Sequence, residues 1–296
     1  MTIAPSTSLF YDRAASTMRS LTGQADRLNQ QITAESNILA PSDSSVAWQR
    51  LQDLSRADAN DAAYSGNVSI AQSVLQQADS ALSQIGDQIQ QVSTLVVQAG
   101  NGTLTANGKA AIASQISDLL TAIVAAANGA DMRGGPLFGG QSGDPAVTRN
   151  ADGSFSFATG EAAVIPIGDG QTVQPGSNAA NFLKTGTSDL GSAITSIIAA
   201  LNAGGEVPAD AGDTLKQVSD QVTATQASLG ARAARVDIVA GQIATARLDR
   251  ADARTAVDGF DYATAITELQ KTMTVLQATQ ASFTKLSGMS LFDYLR

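Results

Sequence analysis

The sequence predicts a mainly α protein. Long antiparallel heptad helices come from both chain ends as a rod-like bundle, with a small β-rich domain inserted in the middle. Three observations carry this expectation. Apolar residues recur at alternating steps of four and three over tens of residues, the spacing of a seam for a partner helix. Aromatic residues are only 4 % of the chain, while Ala, Ser, Thr, Gln and Gly dominate, which suits close helix packing through small side chains. Between the seams lies a Gly-rich stretch of short β-prone runs.

Taken in order, the first seam runs through Ala14, Met18, Leu21, Ala25, Leu28, Ile32 and Leu39, with Glu35 as its polar intrusion. Ala40-Pro41-Ser42-Asp43 breaks it, since proline disfavours helix in the residue before it and Ser42 or Asp43 can cap the next helix. The longest seam follows: Tyr64, Val68, Ala71, Leu75, Ala78, Leu82, Ile85, Ile89, Val92, Val96 and Ala99. Gly66 and Gly86 fall off it and leave the packing uninterrupted. Gly100 to Thr103 should end that helix with residues that tolerate a left-handed backbone. A shorter helix then presents Ile112, Ile116, Leu119 and Ile123 on one face.

Arg133 to Pro145, RGGPLFGGQSGDP, reads as a hinge into the insert. It has neither the Gly-Lys-Ser/Thr of a phosphate loop nor the flanking strand and helix of a dinucleotide fold. Asp152-Gly153 marks one hairpin and Gly168-Asp169-Gly170 a second. A helix across DLGSAITSIIAALNAGG leads back to a third seam, Leu215, Val218, Val222, Leu229, Val236, Val239 and Ile243, with polar lapses at Thr225 and Arg232. Asp249, Asp252, Asp258 and Asp261 lack calcium-loop spacing and read as a solvated helix face ending at Gly259. The last seam is Tyr262, Ile266, Leu269, Met273, Leu276, Gln280 and Phe283. The division expected from these breaks is 1–42 with 256–296, 43–130 with 187–255, and 131–186.

Several function classes fall away. The chain has no His and no Cys, which removes disulfides, thiol nucleophiles and the commonest zinc ligands and general bases. A hydrolytic triad cannot be composed. A Ser–Lys pair stays open through Lys109, Lys184, Lys216, Lys271 or Lys285, but nothing places any of these in a pocket. No catalytic, cofactor-binding or metal site and no cofactor is therefore expected. A net charge of −9 without a local Lys and Arg cluster argues against nucleic acid. Neither a secretory signal nor an apolar run of membrane-spanning length is read in the sequence. Asn67-Val-Ser69 and Asn101-Gly-Thr103 match the glycan acceptor pattern by chance.

The chain ends supply the functional expectation. Two-helix packing of the outer seams buries too few large apolar groups to offset the ordering of about 75 residues. Leu9, Phe10, Ile38, Leu286, Met289, Leu291, Phe292 and Leu295 would stay wet beside it. The ends should therefore order against other subunits. The expected assembly interface is Leu9, Phe10, Met18, Leu21, Leu28 and Ile32 from the front, with Ile266, Leu269, Met273, Leu276, Phe283, Leu291, Phe292, Tyr294 and Leu295 from the back.

Four stretches resemble the flagellin-like axial proteins, and among them those of the hook–filament junction: NILAPSDSSVAWQRL, QAGNGTLTANGKAAIASQI, AAANGADMRGGPLFGGQS and AITELQKTMTVLQATQASFTKLSGMSLFDYL. They cover both helical arms, and the SLFDYL ending is the most specific. The family often has Asp-Asp-Pro where this chain has Asp43-Ser44-Ser45, and an aromatic where Pro136 precedes Leu137-Phe138. The resemblance implies a non-enzymatic structural adaptor of the bacterial flagellum, with terminal coiled-coil segments inside a tube and the β insert outside. Its implied partners are copies of itself in a ring-like helical layer, the first hook–filament junction protein, flagellin, and an export chaperone at the carboxyl arm. Type III export without a cleaved signal peptide would place it outside the cell. A minor flagellin, or a ligand-binding protein or enzyme using the insert, are the rival readings.

Overall fold

The computed structural model describes residues 4–186 and 188–293. The fold is mainly α, with a small strand-containing region in the middle of the chain. It divides into two compact units, a terminal one of Met1–Ala59 with Ala246–Arg296 and a central one of Asn60–Thr245.

The central unit holds the core. Helix α2, Ser45–Ala99, is 55 residues long, and from Val68 onward its predicted seam is the buried face: Val68, Ala71, Leu75, Ala78, Leu82, Ile85, Ile89, Val92 and Ala99. Tyr64 and Val96 are half-buried. The helix stops at Gly100 without a left-handed residue, since neither Gly100, Asn101 nor Gly102 has positive φ. Instead Asn101 Oδ1 accepts from Thr103 N, and the turn closes by Leu104 N donating to Asn101 O.

Helix α3, Ala106–Ala127, is capped by Thr105, whose hydroxyl accepts from Gly108 N. It buries Ile112, Ile116, Leu120 and Ile123; Leu120, not Leu119, completes the face, and Leu119 is half-buried beside it. By length and composition α3 is apolar enough to cross a membrane, at a mean hydropathy of 1.6, which corrects the expectation that no such run exists. Its Ala-rich composition with few charges produces that value, and here its isoleucines are core residues.

The insert does not behave as a loose hinge. Leu137 and Phe138 are buried, and the Phe138 ring meets Phe182 edge-on at 5.1 Å. A Cβ on Gly140 would lie 2.5 Å from Gly160 O, so glycine is needed there for close backbone packing. Strands β1, Val147–Arg149, and β2, Phe155–Phe157, form the first predicted hairpin, and β3, Ile165–Gly168, with β4, Gln171–Val173, the second. Helix α4, Ala180–Leu183, precedes a short third pair, β5 at Lys184–Thr185 and β6 at Ser188–Asp189, which the sequence did not announce.

Helix α5, Leu190–Asn202, starts at a capping box between Asp189 and Ser192. Helix α6, Ala209–Val257, runs antiparallel to α2: Gln72 Nε2 donates to Asp237 Oδ1, and Val222 Cγ1 would contact a Cβ at Gly86. It buries Leu215, Val218, Val222, Leu229, Val236 and Val239 as its seam predicts, with Ile243 packed against them. Residues of the hairpins and of α2, α3, α5 and α6 share one hydrophobic cluster.

Candidate functional site

The terminal unit contains α1, Ala4–Ala34, and α7, Tyr262–Asp293, with the start of α2 and the end of α6. The two terminal helices pack antiparallel. Near one end the Tyr11 and Phe283 rings meet edge-on at 5.5 Å; near the other Tyr262 Oη donates to Glu35 Oε1 at 3.0 Å. Along α1 the inward stripe is the predicted one: Ala14, Met18, Leu21, Ala25, Leu28 and Ile32. Ala25 alone among these is buried; the larger side chains stay half-exposed.

The stripe on α7 differs from its predicted seam. Ala265, Leu269, Thr272, Leu276, Thr279 and Phe283 are the buried or half-buried positions. Tyr262, Ile266 and Met273 lie roughly a quarter turn round the helix and are 45 %, 42 % and 44 % exposed. Ala265, Thr272 and Thr279 therefore alternate with Leu269, Leu276 and Phe283 on the side toward α1, while Ile266 and Met273 lie exposed beside them. On the opposite flank, Val275 borders a groove of about 500 Å³ between the helices, lined also by Leu21, Leu28, Arg27, Glu268 and Lys271.

The predicted interface residues thus fall into three sets. Met18, Leu21, Leu28, Ile32, Leu269, Leu276 and Phe283 are half-buried between the helices. Leu9, Phe10, Ile266 and Met273 stand exposed. Leu291 and Phe292 belong to the α7 backbone, but their side chains, with those of Leu286 and Met289, lie outside the described residues, as do Tyr294 and Leu295.

Polar contacts that the sequence did not reveal join the α1–α2 loop to the α6–α7 turn. Asp258 is not on a solvated face. Its carboxylate accepts from Ser36 Oγ at 2.5 Å, Asn37 N at 2.7 Å and Ile38 N at 3.2 Å. Asn37 Nδ2 donates to Gly259 O. Glu35, the polar intrusion of the first seam, ends α1 at φ 53, and Ser36 N donates back to Gln31 O as in a Schellman cap. This stops α1 five residues before Leu39, the last position of the predicted seam.

Asp43 does not cap α2. The Leu39 N–H, then Ala40 N–H and the Arg27 guanidinium, hold its carboxyl below the usual carboxylate range against the opposing effect of burial. Ser44 serves at the helix start instead, its hydroxyl accepting from Ala47 N. Asp261 begins α7, accepting from Thr264 Oγ1 and Ala263 N, and these bonds lower its pKa. The Tyr262 hydroxyl is raised by its bond to Glu35. Farther along, Arg250 and Arg254 both pair with Asp58, linking α6 to α2.

In the central unit, Arg232, a polar lapse in the α6 seam, donates through Nη1 to Gln174 O at 2.7 Å and Gly176 O at 2.9 Å. Asn67 and Tyr64 reach Pro166 O and Asp169 from α2, so helices on both sides hold the second hairpin. Its only sequence signal was a charge where an apolar residue was due. Among the described residues no group of three or more acidic residues could hold a metal.

Helical arms from both ends of the chain pair with little buried between them, and the comparisons find the chain similar to the flagellin-like axial proteins. Residues 6–142 match the bacterial flagellin N-terminal helical region. Over 98 % of this chain and 99 % of the relative, it is 25 % identical to flagellar hook-associated protein 3 of Salmonella typhimurium. The fold is shared with a Vibrio parahaemolyticus structure assigned as flagellar hook-associated, at TM-score 0.68 and 18 % identity over 73 % of this chain and all of that one. It is shared too with the flagellar junction protein FlgL of Legionella pneumophila, at TM-score 0.55 and 12 % identity over 72 % of this chain and all of that one.

Proposed function

We propose that this chain is a structural adaptor of the bacterial flagellum, acting at the hook–filament junction without catalysis. Similarity to hook-associated protein 3 along nearly the whole chain supports the site of action. The observation that carries the mechanism is the terminal unit, where Ala25 and Ala265 are the only core residues on α1 and α7 among those described. Such a hairpin gains its missing burial from neighbours.

In this reading 1–42 and 256–296 enter an inner coiled-coil layer, 43–130 with 187–255 form a second helical layer, and 131–186 lies outermost. Copies of the chain form a ring-like layer, with the first junction protein on one side and flagellin on the other. The chain leaves the cell through the flagellar export channel without a cleaved signal, and a chaperone engages the carboxyl arm beforehand.

A minor flagellin is the second reading, favoured by the flagellin-region match. A deletion strain separates the two. Loss of a junction adaptor releases unattached flagellin into the medium, and restoring the gene re-anchors it. Filaments that stay anchored in the deletion strain would contradict the adaptor and fit the minor flagellin.

A further inference from the structure

The turn that ends α2 carries a chemistry the assembly role does not use. Three Asn-Gly pairs occur in the chain: Asn101-Gly102, Asn107-Gly108 and Asn128-Gly129. In such a pair the glycine nitrogen can attack the asparagine side-chain carbonyl, because no Cβ blocks the approach. The fold decides which pair is free to react.

Two of the three are restrained. Gly108 N lies in the first turn of α3 and donates to Thr105 Oγ1 at 3.2 Å. Asn128 has its amide held at both ends, Nδ2 donating to Val147 O at 2.8 Å and Oδ1 accepting from Val147 N at 2.9 Å, while Gly129 N donates to Ala126 O. Asn101, Gly102 and Thr103 are exposed and outside any helix or strand. Nothing lies within 4 Å of where a Gly102 Cβ would be, and among the described residues Gly102 N–H has no acceptor.

Asn101 is also activated. Its Oδ1 accepts from Thr103 N at 3.3 Å and from Thr103 Oγ1 at 3.0 Å. Both donors meet the oxygen on which negative charge develops when Cγ is attacked, the arrangement that stabilises an oxyanion.

We infer that Asn101 is a self-modifying site that converts spontaneously to aspartate or isoaspartate. Hydroxide from solvent takes the Gly102 N–H proton, and the nitrogen lone pair forms a bond to Asn101 Cγ. The side-chain nitrogen takes a proton from water and leaves as ammonia. One water then opens the five-membered imide at either carbonyl, so the net change is water in and ammonia out, with no redox step. The product places a carboxylate just past the carboxyl end of α2, where the helix dipole disfavours it. The isoaspartate form also lengthens the backbone of the α2–α3 turn.

The test is peptide mapping by mass spectrometry of the full chain held at mildly alkaline pH, folded and in guanidinium. In the folded chain Asn101 should convert at least about tenfold faster than Asn107 or Asn128, and the three should converge when unfolded. Thr103→Val should slow Asn101 severalfold, while Thr103→Ser should not. Equal rates at the three sites in the folded chain, or a Thr103→Val variant that converts as fast as the parent, would overturn the inference.

Discussion

Leu82 in α2 and Leu276 in α7 sit on helical seams of the same spacing, yet Leu82 has no solvent exposure while Leu276 is only half-buried. The contrast extends to the two units. In the central unit the α2 seam shares one hydrophobic cluster with residues of α3, α5, α6 and the hairpins. On the terminal helices only Ala25 and Ala265 are core residues among those described. Charge divides in the same way. The terminal unit has 11 Lys and Arg against 12 Asp and Glu, and the central unit 7 against 15. A heptad seam therefore specifies that a helix wants a partner, while the surroundings decide whether that partner lies in the same chain. In the proposed assembly, the near-neutral terminal unit would let copies approach without the repulsion that the central unit would impose.

The largest expected effect breaks assembly and leaves the fold alone. Ile266→Asp, Phe292→Asp or deletion of 288–296 should abolish incorporation into flagella, with the helical circular dichroism of the central unit retained. Global unfolding of these variants would erase the distinction between the units.

Next comes stability. Leu82→Ala should cost about 2–5 kcal/mol of unfolding free energy, whereas Leu276→Ala in the monomer should cost about 1 kcal/mol or less. Denaturant titration of both variants measures the difference, and equal losses would contradict the account. Arg232→Ala should cost about 1–3 kcal/mol in the same assay, because it leaves the Gln174 and Gly176 carbonyls without their charged donor.

The smallest effect is acid loosening of the α1–α2 loop. Asp43 is held below its ordinary pKa by the Leu39 and Ala40 N–H groups and Arg27. Its stabilisation is therefore complete above the unfolded value of about 3.9 and is lost as pH falls through the lower folded value. Fluorescence of Trp48, the single tryptophan, should stay flat from neutrality to about pH 5 and change below about pH 4. Asp43→Asn should remove that step.

Legibility in the sequence followed the same division. The α2 and α6 seams could be read residue by residue because burial on several sides leaves one periodic solution. On α7 the apolar period was real but ambiguous. Two adjoining stripes share it, and the sequence could not tell that Ala265, Thr272 and Thr279 lie on the side toward α1 while Ile266 and Met273 lie exposed. Leu119 and Leu120 posed the same problem at single-residue scale. The clasp around Asp258 was invisible because its partners lie some 220 positions away in the chain. In residues 133–143, glycine content suggested freedom, whereas close backbone packing requires it at Gly140.

The central claim is that the outer helices lack enough internal burial and are completed by neighbouring subunits. Hydrogen-exchange mass spectrometry on dilute monomer and on assembled material tests it most directly. The account predicts strong protection of α2 from Val68 to Ala99 in both samples, with weak protection of α1 and α7 in the monomer that rises on assembly. Terminal helices protected in the monomer as strongly as that stretch of α2 would contradict it.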